Sequence, residues 1–204
     1  MAPIVSEEYK EKKRQAILES AHSCFAKKGF EASTVDDIVI HSSLSKGTIY
    51  NYFKSKDEIY LALMEWQTND SGMKFTKAIA ERESAIDKLN YLIDAYLNND
   101  PNDELNKDHA LVHYEFRLYS TRKPKLMKAL TARYKEFFVP LLVDIIEEGQ
   151  TKGEFKRELE APMYADIFWA MVNGVTLQST ILEQYRYKDI LKEMQTLFID
   201  KLRG

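Results

Sequence analysis

Apolar residues recur along this chain at intervals of three and four, the period of helices with one buried face. In residues 8–28, Ile17, Leu18, Ala21 and Phe25 fall on one side with charges between them. That spacing predicts a helix, and Gly29 predicts its end. Phe30 then packs back on the same core. Thr34 is a good N-cap, and Asp36 and Asp37 sit in the next turn, where the helix dipole favours carboxylates. Ile38 supplies the inward face of this short second helix, which ends near Ser42. Ser43 and Leu44 form a turn, and Ser45 caps a third helix over 45–52. The S-x-x-E pattern from Ser55 to Glu58 predicts a capping box. The fourth helix that follows carries Ile59, Leu63, Met64 and Trp66 and continues past residue 75.

Later helices are expected at 84–98, 105–120, 124–150, 162–183 and 187–202, with Pro101, Pro124 and Pro162 at boundaries. Pro140 falls inside a helical pattern, where a missing N–H and a ring clash predict a kink. No alternation of period two runs long enough for a strand. The chain reads as all-α. A three-helix unit over 1–54 precedes a larger helical body over 55–204, and the fourth helix bridges them.

Composition agrees. Seven glycines and five prolines in 204 residues leave little material for tight turns, and 45% hydrophobic content excludes a disordered chain. Cys24 is the single cysteine, so no intrachain disulfide forms, which suits a reducing cytosol. The same lack of a partner thiol argues against redox sensing at Cys24. The stretch from Met1 to Arg14 is polar and lacks the apolar run of a signal peptide. The least charged stretch, Ala161 to Leu182, contains Asp166, Asn173 and Gln178. Those groups are expensive in a bilayer, so it reads as a buried helix in a soluble core. The expected location is the cytoplasm, with no membrane partner.

Net charge alone counts against nucleic acid, because 29 Lys and Arg stand against 32 Asp and Glu. The average hides a local feature. Residues 38–56 contain Lys46, Lys54 and Lys56 and no acid. Two short helices joined by a tight turn, at 34–42 and 45–52, make a helix-turn-helix whose second helix can enter a major groove. Lys46 and Lys54 are cations there, Gly47 permits close backbone approach, and Thr48 and Asn51 offer hydrogen bonds. Tyr50 and Tyr52 add hydroxyls and flat faces. Lys56 lies at the start of the fourth helix, where a phosphate could be held.

Residues 15–60 resemble the DNA-binding segment of TetR/AcrR-family transcriptional regulators. The likeness runs from Ile17-Leu18 through Ala21, Phe25 and Gly29-Phe30 to Thr34 and Ile38. It is strongest in Ser45-Lys46-Gly47-Thr48-Ile49-Tyr50-Asn51-Tyr52-Phe53-Lys54-Ser55-Lys56-Asp57-Glu58. The resemblance implies phosphate contacts from Thr34, Thr48, Tyr50 and Lys56. It implies that Lys46, Gly47, Asn51 and Tyr52 face bases or the adjoining backbone. Two departures stand out. Ser42-Ser43 replaces the usual Ala-Gly, and a serine at positive φ costs roughly 1 kcal/mol against glycine, which predicts a reshaped turn. Val39 stands where a small alanine is common, which predicts wider helix spacing.

The resemblance further implies a helical ligand-binding and dimerisation domain. Tyr96, His113, Phe116, Phe137 and Trp169 are candidate pocket walls, with Asn173 a polar anchor beside Glu115, Arg117 and Gln178. The alternative for each aromatic is ordinary core packing. For a dimer face the candidates are Gly174 on the nearly uncharged helix and Ile190, Met194, Leu197 and Phe198 on the last one, with burial inside one subunit as the alternative. The implied function is a homodimeric repressor that binds an inverted repeat in double-stranded DNA and is released by a small-molecule effector.

Other chemistry finds little support. His109 and His113 lie at i, i+4, a spacing that can share a metal, but no H-E-x-x-H or nearby cysteine completes a site. No metal or cofactor is expected. G-x-S-x-G, P-loop and G-x-G-x-x-G patterns are absent, so an enzyme is not expected.

Overall fold

The computed structural model describes residues 6–203, apart from the side chains of residues 67–75 and 105. The first five residues, part of the polar N-terminal stretch, lie outside it. Among the described residues there are ten α-helices and no strand. They are α1 (Glu7–Lys28), α2 (Val35–Ser42), α3 (Lys46–Tyr52), α4 (Lys56–Ala80), α5 (Ala85–Leu97), α6 (Glu104–Ser120), α7 (Pro124–Arg133), α8 (Val139–Lys152), α9 (Ala161–Ile181) and α10 (Tyr187–Arg203). No helix among the described residues is long and apolar enough to cross a membrane.

The chain packs as two compact units, one ending at Gly72 and the other beginning at Met73. The division falls inside α4, later than the boundary after residue 54 that helix spacing suggests. The cause is that Ile59, Tyr60, Leu63 and Met64 in the first turns of α4 are buried. They complete a core that α1 and the two short helices α2 and α3 do not close alone.

In the N-terminal unit Ile17, Leu18 and Phe25 of α1, Ile38 of α2 and Ile49 of α3 are fully buried. Phe25, Phe30 and Tyr60 form a ring trio with centroids 5.4, 5.5 and 5.2 Å apart. Such tilted and edge-on contacts add to area burial. Gly29 ends α1 with φ 79°, and its N–H donates to Phe25 O.

The C-terminal unit packs α5, α8, α9 and α10 around Leu89, Ile93, Leu142, Ile146, Phe168 and Leu191. Ser84 caps α5. The Glu154 carboxylate also accepts from Ala85 N at 3.0 Å and Ile86 N at 3.1 Å. This satisfies donors that every helix start leaves open.

The expected single helix over 124–150 is interrupted. Residues Tyr134–Phe138 form a π turn between α7 and α8, in which Val139 N–H donates to Tyr134 O. Pro140 has no N–H, and its ring crowds the carbonyl four residues back, which is Glu136 inside that turn. The extra residue of a π turn absorbs the mismatch that a kink would otherwise take. The turn is tied to α9 at two points. Tyr134 donates its hydroxyl proton to Asp166 Oδ1 at 2.7 Å, and Trp169 Nε1 donates to Phe138 O at 2.9 Å. The lone charge of the apolar α9 stretch is thus matched by a phenol.

Gly149 sits where α8 meets the loop after it. A Cβ there would come within 2.1 Å of the Phe155 ring and 2.9 Å of Ala85 Cβ. Gly149→Ala should therefore lower the unfolding free energy by about 1–3 kcal/mol. Urea melts should show that loss, and adding Phe155→Leu should recover part of it. An unchanged melt would mean the ring moves freely.

Candidate nucleic-acid interface

The helix-turn-helix is built by three caps in sequence. Thr34 and Asp37 form a reciprocal box at the start of α2, with Asp37 N donating to Thr34 Oγ1 at 3.1 Å and Thr34 N to Asp37 Oδ2 at 2.8 Å. Lys28 at the end of α1 adds an ion pair to Asp37 at 2.5 Å. That ammonium, with the Thr34 donors, holds the Asp37 carboxyl down at about 2. Ser45 caps α3, accepting from Thr48 N at 3.1 Å. Ser55 caps α4, accepting from Glu58 N at 3.2 Å, while the Glu58 carboxylate takes Lys54 N rather than the cap residue's own.

The turn keeps its left-handed residue despite lacking glycine. Ser43 has φ 56° and ψ 19°. The strain is borne rather than avoided. Ser42 supports it, donating to Val39 O and accepting from Leu44 N, both at 3.3 Å. Val39 itself is half-buried.

On α3, Ile49 points inward and is fully buried, and Phe53 just past its end is 4% exposed. Gly47, Tyr50 and Asn51 point outward, and Tyr50 is 45% exposed. A Cβ at Gly47 would meet nothing nearer than Ser45 Oγ at 3.9 Å. Nothing within the protein requires a glycine there. Thr48 is half-buried and shares a 2.8 Å hydroxyl contact with Ser45. Tyr52 is half-buried with its ring 6.5 Å from Phe53. Thr34 is exposed at the cap.

Two cations differ from the sequence reading. Lys46 makes an ion pair with Asp36 of α2 at 2.6 Å, and that carboxylate holds its pKa above the usual lysine value. The window 38–56 lacks acids in sequence, yet α2 places one beside it. Lys56 is the larger correction. Its ammonium donates to three main-chain carbonyls, Phe30 O at 2.6 Å, Glu31 O at 2.9 Å and Ser33 O at 2.8 Å. It also lies 4.5 Å from the centre of the Phe30 ring. An ammonium has three protons, so none is left for a phosphate in this arrangement. Lys56 holds the α1–α2 loop to α4.

In the C-terminal unit some pocket candidates gather. Tyr96 meets Trp169 edge-on at 6.2 Å, and Phe138 meets Trp169 at 5.1 Å. Burial pushes the Tyr96 hydroxyl pKa up. Asn173, one turn along α9 from Trp169, takes Arg117 on Oδ1 at 2.7 Å and donates to Trp169 O at 2.6 Å. Its main-chain carbonyl accepts from Tyr114 at 2.9 Å. His113 is beside Tyr114 at 5.7 Å. Desolvation, with Arg117 and Arg133 nearby, lowers its pKa to about 4, so it is neutral at pH 7. Phe137 packs edge-on to Phe138 at 5.2 Å. Phe116 is fully buried. The sequence reading missed Tyr134 and Asp166 because the π turn that pairs them has no sequence pattern of its own. Ser179 Oγ is buried with no hydrogen bond among the described residues, and nothing in its sequence context marks it. His109 also has its pKa lowered by desolvation, and no group of three or more metal-ligating side chains occurs among the described residues.

The expected dimer stripe divides. Met194 and Phe198 are 4% and 3% exposed and belong to the subunit's own core. That corrects their assignment to a face between subunits. Ile190 is half-buried. Leu197 is 58% exposed. Gly174 is exposed, with nothing within 4 Å of a Cβ built on it.

A helix-turn-helix with an outward second helix, in a chain that also carries a larger helical unit, is the architecture of a DNA-binding transcriptional regulator. A family model described as bacterial regulatory proteins of the tetR family matches residues 17–63, and one described as a tetracyclin repressor-like C-terminal domain matches residues 92–190. The HTH-type transcriptional regulator YfiR of Bacillus subtilis is 30% identical over 177 residues, covering 86% of this chain and 83% of its own. GusR of Salmonella enterica superposes with a TM-score of 0.77 at 24% identity, over 98% of this chain and 99% of that one. A regulator from Saccharomonospora viridis in complex with choline gives 0.79 at 23% identity, over 93% and 96%. The chain belongs to the TetR family of bacterial regulatory proteins.

If Lys56 acts as a clamp, Lys56→Met should lower the unfolding free energy by about 2–3 kcal/mol, the scale of charge-assisted hydrogen bonds. The salt slope of binding to random DNA should stay unchanged. A slope reduced by about 0.9 with stability intact would restore the phosphate role.

Proposed function

We propose that this regulator is a homodimeric, effector-released repressor acting in the cytoplasm on an inverted-repeat operator, without catalytic turnover. The observation that carries the reading is the outward face of α3. Gly47, Tyr50 and Asn51 are exposed there without a packing role inside the protein. Lys46, Gly47, Asn51 and Tyr52 face bases or the adjoining backbone, and Thr34, Thr48 and Tyr50 hold phosphates. One short helix reads few base pairs, so two copies reading half-sites about one helical turn apart supply the specificity.

The dimer face in this reading is the outer side of α9. Met163, Ile167 and Ile181 are 53%, 40% and 62% exposed, and Gly174 lies on the same spacing. Leu197 of α10 extends it, with Ile190 at its margin. An exposed apolar stripe of this kind marks a surface that another protein covers. The effector site is built from Tyr96, His113, Phe137, Trp169 and Asn173, with Phe116 as packing behind it. The choline complex of the Saccharomonospora regulator supports a small-molecule ligand. Release requires that the effector prefer the conformation that cannot bind DNA.

The test is selection of operators from a random duplex pool, followed by binding assays. Asn51→Ala should cost about 1–3 kcal/mol on the selected site and far less on random DNA. Equal losses on both would remove Asn51 from base reading. Separately, Ile167→Glu with Leu197→Glu should sediment as a folded monomer and lose the operator. A dimer that survives both charges would place the interface elsewhere.

A further inference from the structure

Between Glu115 and Glu136 the chain has seven Lys and Arg residues and no acid. This is a strongly positive band in a protein of net charge −3. Three of the seven have partners. Arg117 is held by Asn173, Lys123 lies 4.0 Å over the Tyr119 ring, and Arg133 lies 5.0 Å from the centre of the Phe138 ring. Arg122, Lys125, Lys128 and Lys135 are exposed and make no ion pair among the described residues. Exposed lysines elsewhere mostly find carboxylates, as Lys10, Lys12, Lys28, Lys46 and Lys188 do.

The band has an apolar seam. Pro124, Met127 and Thr131, spaced by three and four residues, line one shallow depression with Lys128 and Lys135. Ala132 and Glu136 complete its lining. Met127 is 46% exposed. A seam of this spacing with cations along its edge is the surface that a helix lying alongside would complete, with acids at its own flanking positions. Phosphate backbones would use the cations and leave the seam unfilled. A bilayer would need a broad apolar face, and Met127 is the one large apolar side chain that α7 exposes.

We propose that α7 and the π turn form a docking face for an acidic amphipathic helix of a partner protein. The seam takes the partner's apolar side chains, and Lys125, Lys128 and Lys135 take its carboxylates. The depression's own lining, Pro124, Met127, Lys128, Thr131, Lys135 and Glu136, shares no residue with the α9 stripe or with the Tyr96–Trp169 site, although the π turn that carries Lys135 also packs against Trp169 through Phe138.

The probe is a labelled synthetic helix of about 15 residues, the length at which helices become marginally stable. It has leucine at three- and four-residue spacing and glutamate beside it. The control has the same composition with leucines scattered. Anisotropy against the full chain, at a Debye length of about 8 Å, should show the amphipathic peptide binding at least about tenfold tighter than the control. Lys128→Glu with Lys135→Glu should weaken it by about tenfold or more, and Met127→Asp should act in the same direction. Melting temperature and operator binding should be unchanged. If the double charge reversal unfolds the chain, Lys128→Gln with Lys135→Gln is read the same way. Equal binding of the two peptides, or binding indifferent to these variants, overturns the proposal. So does a loss of random-duplex binding, or of phosphatidylserine-vesicle binding, in the double variant, since either would assign the band to nucleic acid or to a membrane.

Discussion

The helix-turn-helix is held at both ends by one ammonium group. Lys56 opens α4 and draws the carbonyls of Phe30, Glu31 and Ser33 onto itself. Ser33 immediately precedes the cap of α2, so the chain from 33 to 56 becomes a loop closed at its base. α2, the turn and α3 are the contents of that loop. The Phe25–Phe30–Tyr60 trio closes the same junction from the apolar side. Charge and burial act on neighbouring atoms, and neither would suffice alone. Rings without the cation would leave the three carbonyls of the α1–α2 loop without this donor. The cation without the rings would stand in water, where its bonds are worth little. Because the base is fixed in this way, α3 needs only Ile49 and the adjoining Phe53 to seat it, and its remaining positions are free to face outward.

Much of this was legible in the sequence, for physical reasons that differ by element. Helix positions followed from apolar period, and the starts of α2, α3 and α4 from Thr34, Ser45 and Ser55, because a cap is a local interaction between a side chain and an amide two or three residues on. Lys56 was not legible, because its partners are main-chain carbonyls more than twenty residues back, and a carbonyl is the same group in every residue. Likeness to a family suggested a phosphate instead. The π turn was half legible. Pro140 announced a disturbance, but the choice between a kink and an inserted residue depends on Tyr134 and Trp169 meeting α9, which periodicity cannot see.

The last helix shows a further limit. Leu191, Met194, Leu197, Phe198 and Leu202 all satisfy a helical apolar pattern, and that pattern is wider than one contact. One side meets the subunit's own core and the other meets solvent. Leu197 and Phe198 are adjacent in sequence, about 100° apart around the axis, and fall on opposite sides of that divide. Leu197 is 58% exposed and Phe198 is 3% exposed. A pattern can say that a helix has an apolar side. It cannot say where the protein ends and its partner begins.

Electrostatics carry the same lesson. The overall charge of −3 argued against DNA, and the acid-free window at 38–56 argued for it. Folding revises both, because Asp36 comes from just outside the window to within 2.6 Å of Lys46. A phosphate that takes Lys46 must displace that carboxylate and then remain near it. Both partners are more than half exposed, so water stabilises each of them when parted and the exchange is easy. The carboxylate's repulsion persists on every DNA sequence alike. In the proposed reading, only contacts particular to a sequence, such as the one assigned to Asn51, offset it selectively. On that proposal, a neutral unit with an acid beside α3 depends more on base contacts, and less on bulk charge, than its lysines alone suggest.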